Sequence, residues 1–143
     1  MKPYPITEVD EFIENILDSA DPYNVIKSIR EGVEYEVFSR FDDLTGFSLS
    51  EWSGFLHVSE RTLQRYKTTG QHLGAVQSEK FLAIAILFQQ GIQVFGSTDK
   101  FSLWLETVNV AFGGIRPKEL LDNSFGIEMI KSELGRIEQG ILA

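Results

Sequence analysis

The 143-residue chain has no cysteine and only two histidines, His57 and His72. It therefore has no ligands for a zinc finger or an iron–sulfur site, and no thiol for nucleophilic or disulfide chemistry. Long apolar runs are missing too. The longest nearly apolar stretch, Phe81 to Phe88, has eight residues, against the roughly 20 needed to cross a bilayer, and reads as core. Met1-Lys2-Pro3-Tyr4-Pro5 leads into no apolar segment with a small-residue cleavage site, so a cytoplasmic address without membrane attachment is expected. Positive charge is the scarcest commodity: 13 Lys and Arg stand against 21 Asp and Glu, a net charge of −8.

That shortage is uneven. Residues 1 to 60 carry four basic and thirteen acidic side chains, whereas residues 61 to 143 carry nine and eight. Between Arg61 and Lys80, the cations Arg61, Arg65, Lys67 and Lys80 face Glu79 alone. A pI near 4.7 argues against strong non-specific nucleic-acid binding, because phosphate attraction scales with the cations presented. It leaves room for binding by one basic helix, especially in an oligomer.

A chain of this length suits one domain or two small ones and can bury about 70% of the surface its unfolded form exposes. Its punctuation predicts an all-α fold. Val9, Phe12, Ile13, Ile16 and Leu17 recur at helical spacing and predict a helix over about 8–19. Asp21-Pro22 opens a second, ending at Gly32. Val37, Phe38, Phe41 and Leu44 share one face of a third that stops at Gly46, although the alternation Val-Glu-Tyr-Glu-Val makes strand its rival. Two short helices follow over 48–55 and 59–67. The stretch 76–95 is apolar around most of its circumference and predicts a buried central column. Thr98 is placed to cap a helix bearing Phe101, Leu103, Trp104, Leu105 and Val108. Gly113-Gly114 breaks the chain, Pro117 opens a short turn through Leu121, and Asn123 or Ser124 caps a final helix with Ile127, Ile130, Leu134, Ile137 and Ile141 on one stripe.

Leu49 to Tyr66 has the spacing of a helix-turn-helix. Ser53 is small where the two helices cross, and Leu49, Leu56, Val58, Leu63 and Tyr66 supply apolar contacts. His57 occupies the turn position that usually holds a left-handed glycine. Ser59 caps the second helix. Arg61, Thr62, Gln64, Arg65 and Lys67 then fall on its exposed surface, the residue types that contact phosphates and base edges in a major groove. An ordinary helix pair with a solvated basic face would share this pattern.

Catalytic readings lack parts. His57 lies in the turn and His72 in a probable loop, so neither is placed as a base. Asp42-Asp43 and the acids Glu8, Asp10, Glu11 and Glu14 follow a solvated surface pattern. No catalytic residue, metal site or cofactor is expected.

The run Trp104-Leu105, Asn109, Gly113-Gly114, Pro117, Leu120-Leu121, Gly126, Leu134-Gly135-Arg136-Ile137-Glu138 and Gly140 resembles the toxin-binding C-terminal domain of Xre/MbcA/ParS-type antitoxins of type II (RES-Xre) toxin–antitoxin systems. Ser59-Glu60-Arg61-Thr62-Leu63-Gln64-Arg65 resembles the helix-turn-helix of the same family. The resemblance covers most of residues 33–143 and leaves residues 1–30 outside it. It implies an N-terminal extension over 1–32, an Xre-like helix-turn-helix domain with a long connecting helix over 33–97, and a small helical toxin-binding subdomain over 98–143. It further implies a cognate RES-domain toxin that degrades NAD, a C-terminal region that blocks the toxin's cleft, a homodimer, and repression of its own operon by operator binding. On this reading Ser59, Arg61, Thr62, Gln64, Arg65 and Lys67 bind DNA, and Arg116, Pro117, Leu121, Asn123, Phe125, Gly126 and Arg136 bind toxin. Read without the family, Gly113-Gly114 and Pro117 either project Ile115 and Arg116 outward or simply join two helices, and Trp104 belongs to the core. The competing function is a stand-alone regulator whose C-terminal helices bind a ligand or dimerise.

Overall fold

The computed structural model describes residues 22–140, in which seven α-helices and two 3-10 turns are joined by short loops. The expected helix over 8–19, the Asp21 cap and Ile141 lie outside the described residues. The helices are α1 (Pro22–Glu31), α2 (Tyr35–Thr45), α3 (Leu49–Leu56), α4 (Glu60–Thr69), α5 (Ala75–Phe95), α6 (Thr98–Glu106) and α7 (Ser124–Glu138), with 3-10 turns at Val110–Phe112 and Pro117–Leu120. No strand occurs among the described residues; the only pairing is a single antiparallel bridge between Asn109 and Ile115. The alternation around Tyr35 therefore lost to the helical period that Phe38 and Phe41 continue, and both of these side chains are buried.

Helix boundaries follow side-chain chemistry. Ser48 and Glu51 form a reciprocal capping box on α3: the Glu51 N–H donates to Ser48 Oγ at 3.0 Å, and the Ser48 N–H donates to Glu51 Oε1 at 2.9 Å. Asn123 caps α7 by accepting from the Gly126 N–H at 2.7 Å. Ser97, rather than the expected Thr98, caps α6 by accepting from the Lys100 N–H. The two adjacent hydroxyls are equivalent in sequence, and the structure turns that of Thr98 inward, where it is buried. Helix α6 also ends before Val108, because Thr107 adopts extended backbone and its hydroxyl donates to the Leu103 carbonyl at 2.6 Å. Val108 is thereby exposed instead of lying on the helical stripe.

Helix α5 is the central column. Phe81, Leu82, Ile84, Leu87, Phe88 and Ile92 are all buried along it, and it packs against α1, α3, α6 and α7. Phe38, Phe41, Phe47, Trp52, Phe81 and Phe88 meet mostly edge-to-face at 4.9–6.4 Å between centroids, the arrangement favoured by the ring quadrupole. The Trp52 indole N–H donates to Asp42 Oδ1 at 2.7 Å, so the one polar atom of this ring is satisfied. The cluster continues through Phe101 to half-buried Phe95, Trp104 and Phe112. Trp104 thus closes the end of the core. Gly91 permits the crossing of α5 and α6: a Cβ there would lie 2.4 Å from the Phe101 ring. No single helix among the described residues is long and apolar enough to cross a membrane.

Candidate functional site

The helix-turn-helix is formed by α3 and α4. His57 ends α3 at φ 58, the left-handed conformation expected for the turn. Ser53 closes the turn by donating from Oγ to the Val58 carbonyl at 2.5 Å. Leu56, Leu63 and Tyr66 are buried between the helices and α5, and Val58 is half-buried. Leu49 departs from expectation in part: it is exposed, although it borders one cavity with Leu63, Gln64 and Lys67 of α4. Ser59 caps α4, accepting from the Thr62 N–H and donating to the Thr62 hydroxyl, each at 3.0 Å. Both hydroxyls are therefore occupied in holding the helix start, which leaves Arg61, Gln64 and Arg65 as the outward stripe at three- and four-residue spacing. All three are exposed, and neither arginine forms an ion pair among the described residues. Lys67 points off that stripe toward Tyr35 and Asp42 across a shallow cavity. Burial raises the Asp42 carboxyl above the usual carboxylate range, opposed by the Trp52 N–H and by the Lys67 charge.

The C-terminal segment presents a second surface. Gly113 and Gly114 both have positive φ, and the loop they turn is closed by the Asn109–Ile115 bridge. Arg116 is exposed but not free, since its guanidinium meets Glu106 Oε1 at 3.3 Å and Glu119 Oε2 at 3.2 Å. Glu119 is held below the usual carboxylate range by the Arg116 backbone N–H and then by its guanidinium. Phe125 is 84% exposed and Val110 91% exposed. Phe125 and Met129 border a groove of about 360 Å³ whose far wall is Ala111 and Phe112 and whose rim carries Glu133 and Arg136. Arg136 meets Glu133 Oε1 at 2.7 Å. Asn123 is exposed, although its side chain is engaged in the cap. Pro117, Leu121 and Gly126 are buried, so these three expected contact residues lie beneath the surface and shape it from within. At Gly126 the fit is closest: a Cβ would stand 2.1 Å from the Leu120 carbonyl oxygen.

Between the two surfaces lies Lys118. Its side chain is only 9% exposed, and its ammonium pairs with Glu51 of α3 and Glu106 of α6 while lying 5.5 Å from the Phe47 ring centroid. Burial opposes the charge, but the two carboxylates outweigh burial and raise the pKa of Lys118 above its ordinary 10.5.

Two family models match these parts of the chain: the antitoxin Xre-like helix-turn-helix domain over residues 25–85, and the antitoxin Xre/MbcA/ParS C-terminal toxin-binding domain over residues 90–140. The chain belongs to the Xre/MbcA/ParS antitoxin family. It is also similar to a protein of Sphingobium sp. (strain YBL2) described as a "Prs ADP-ribosylating antitoxin", at 28% identity over 141 residues, covering 92% of this chain and 89% of the relative. The antitoxin is accordingly a binding protein of two domains and not a member of an enzyme family. The two matches meet within α5, so one continuous helix supports both.

Sequence reasoning missed Lys118, Glu51 and Glu106, and of the exposed apolar residues it missed Val110 and Met129. The Pro-Lys-Glu run around Lys118 reads as surface, and nothing local indicates that two distant carboxylates converge on it. Met129 was findable: it follows Phe125 by four residues on α7, opposite the Ile127–Ile130–Leu134 stripe.

Proposed function

We propose that this antitoxin neutralises a cognate RES-type toxin by seating its C-terminal subdomain in the toxin's NAD-binding cleft, and that a homodimer of it represses its own operon through α4. On this reading it acts in the cytoplasm, with residues 1–32 an extension to the helix-turn-helix unit over 33–97 and the toxin-binding subdomain over 98–143. The observation that carries the toxin half is the exposure of Phe125 and Met129 beside one groove, with Val110 exposed next to Ala111 of its far wall. Such a patch rimmed by Arg136 and Glu133 has the composition of a contact surface. Phe125 is its natural anchor, and Arg116 is held ready on its loop by two carboxylates.

The relative's description supports an NAD-consuming partner, since ADP-ribosyl transfer draws its ADP-ribose from NAD. It also favours a second reading of the chemistry being blocked: transfer of ADP-ribose to a protein in place of simple NAD degradation. The test is co-expression with the product of the adjacent reading frame. Restored growth, co-purification and preserved cellular NAD support the proposal. Restored growth with unchanged NAD but loss of a labelled ADP-ribosyl protein supports the second reading. An adjacent product that neither binds the antitoxin nor slows growth overturns both.

A further inference from the structure

Residue 57 occupies left-handed backbone, where glycine is at ease and a histidine is under strain. The side chain has a use that glycine could not supply. The His57 Nε2–H donates to the backbone carbonyl of Asp122 at 2.7 Å, across 65 positions of sequence. Asp122 directly precedes Asn123, the cap of α7, so this bond joins the turn that aims α4 to the start of the helix carrying Phe125 and Met129. The opposite end of α3 is held in the same way. Lys118 pairs with Glu51, whose other oxygen accepts from the Ser48 N–H in the cap of α3. The same ammonium pairs with Glu106, and Glu106 pairs with Arg116. Both ends of the helix against which α4 packs are thus tied to the C-terminal subdomain.

We propose that His57 and Lys118 are positioning residues that link the two surfaces, so that occupation of α4 by DNA and occupation of the C-terminal face by a partner alter each other's affinity. The inference rests on reading α4 as the DNA-binding element. Coupling between two sites is reciprocal, so either ligand reports it. A shift of α4 on DNA moves α3; α3 cannot move without loading the His57–Asp122 bond at one end and the Glu51–Lys118 pair at the other.

Hydrogen–deuterium exchange of the full chain, with and without the DNA immediately upstream of its own reading frame, tests this. In the wild type, exchange slows over 59–69, where the DNA sits, and also over 119–127, by about fivefold or more for a coupling of ordinary size. In His57→Gly the backbone conformation is kept and its strain relieved, so the fold and the slowing over 59–69 persist while the change over 119–127 falls below about twofold. Lys118→Met, which fills the same space without charge, gives the same loss from the other end of α3. A role confined to turn geometry predicts no effect of His57→Gly on transfer. Slowing over 59–69 alone in the wild type, or full transfer retained in both variants, overturns the coupling and leaves DNA binding intact. An absence of slowing over 59–69 overturns the DNA-binding reading and the coupling with it.

Discussion

Replacing Lys118 tests how much of the junction between the two domains is electrostatic. Removing one partner of a buried ion pair costs about 3–5 kcal/mol, and a surface pair is worth about 0–1 kcal/mol. Lys118 itself is nearly enclosed, but Glu51 and Glu106 keep 30% and 45% of their side-chain surface in water, so both remain partly hydrated when the ammonium is gone. The cost of Lys118→Ala therefore falls between the two limits, at about 2 kcal/mol, part of it from the lost contact of the ammonium with the Phe47 ring. Lys118→Met loses that contact too but fills the space left by the side chain and removes the desolvation of the ammonium, so it costs less, about 1 kcal/mol. The pH dependence has a definite sign. Burial alone would raise Glu51, but the Lys118 ammonium and the Ser48 N–H outweigh it and hold it below its ordinary 4.5. Its contribution is complete above pH 4.5 and is lost as pH falls through the lower folded value; that of Lys118, raised above 10.5, is complete below pH 10.5 and is lost above the folded value. Urea denaturation should show a constant gap between wild type and Lys118→Met from about pH 5 to 9, narrowing toward pH 3. Equal stability of Lys118→Ala and wild type at pH 7, or a gap that widens in acid, would refute the reasoning.

On α4, Arg65→Ala should weaken operator binding by about 1–3 kcal/mol and relax specificity at one position if it reads a guanine. Lys67→Ala should weaken all sequences alike and reduce the salt slope by about 1, as titrations at several salt concentrations would show. Gly126→Ala forces the backbone of Leu120 to give way and should destabilise the chain by about 1–3 kcal/mol in a denaturant melt, although it changes no exposed side chain. Phe125→Ala should leave stability unchanged and weaken partner binding by about 2 kcal/mol or more in calorimetry, the signature of an exposed anchor. Deleting residues from Gly114 onward should abolish protection in a growth assay with toxin co-expression; full protection would move neutralisation to the acidic helices before residue 45.

The parts legible in the sequence are those decided within one or two turns of chain. Gly32 and Gly46 stop helices in left-handed backbone where the punctuation places them, and the apolar circumference of 76–95 becomes the buried column. The turn histidine adopts the conformation its position demands. What escaped is non-local or nearly degenerate. Ser97 and Thr98 offer the same capping chemistry, and only the packing of α6 on α5 selects between them. Val108 fits the helical stripe by spacing, but the Thr107 hydroxyl and the Asn109–Ile115 bridge end the helix first. The surface residues of α4 were readable because exposure there follows from period. The C-terminal domain was readable by resemblance, yet Pro117, Leu121 and Gly126 recur in that pattern as readily for shaping a surface as for touching a partner. Only the packed structure, in which Leu121 is 1% exposed, separates the two roles.

Charge placement bears on the DNA-binding role proposed for α4 in an acidic chain. The C-terminal cations Arg116, Lys118, Lys131 and Arg136 are each met by a glutamate, so they add little to the field at a distance. Arg61 and Arg65 form no ion pair among the described residues, and they stand on one stripe of one short helix. The net charge of −8 opposes the approach of a duplex in general, so a contact through α4 depends on those local cations. Such a molecule gains little from non-specific contacts, and two copies of α4 on one duplex, as the proposed homodimer would present them, double the cations at the contact itself.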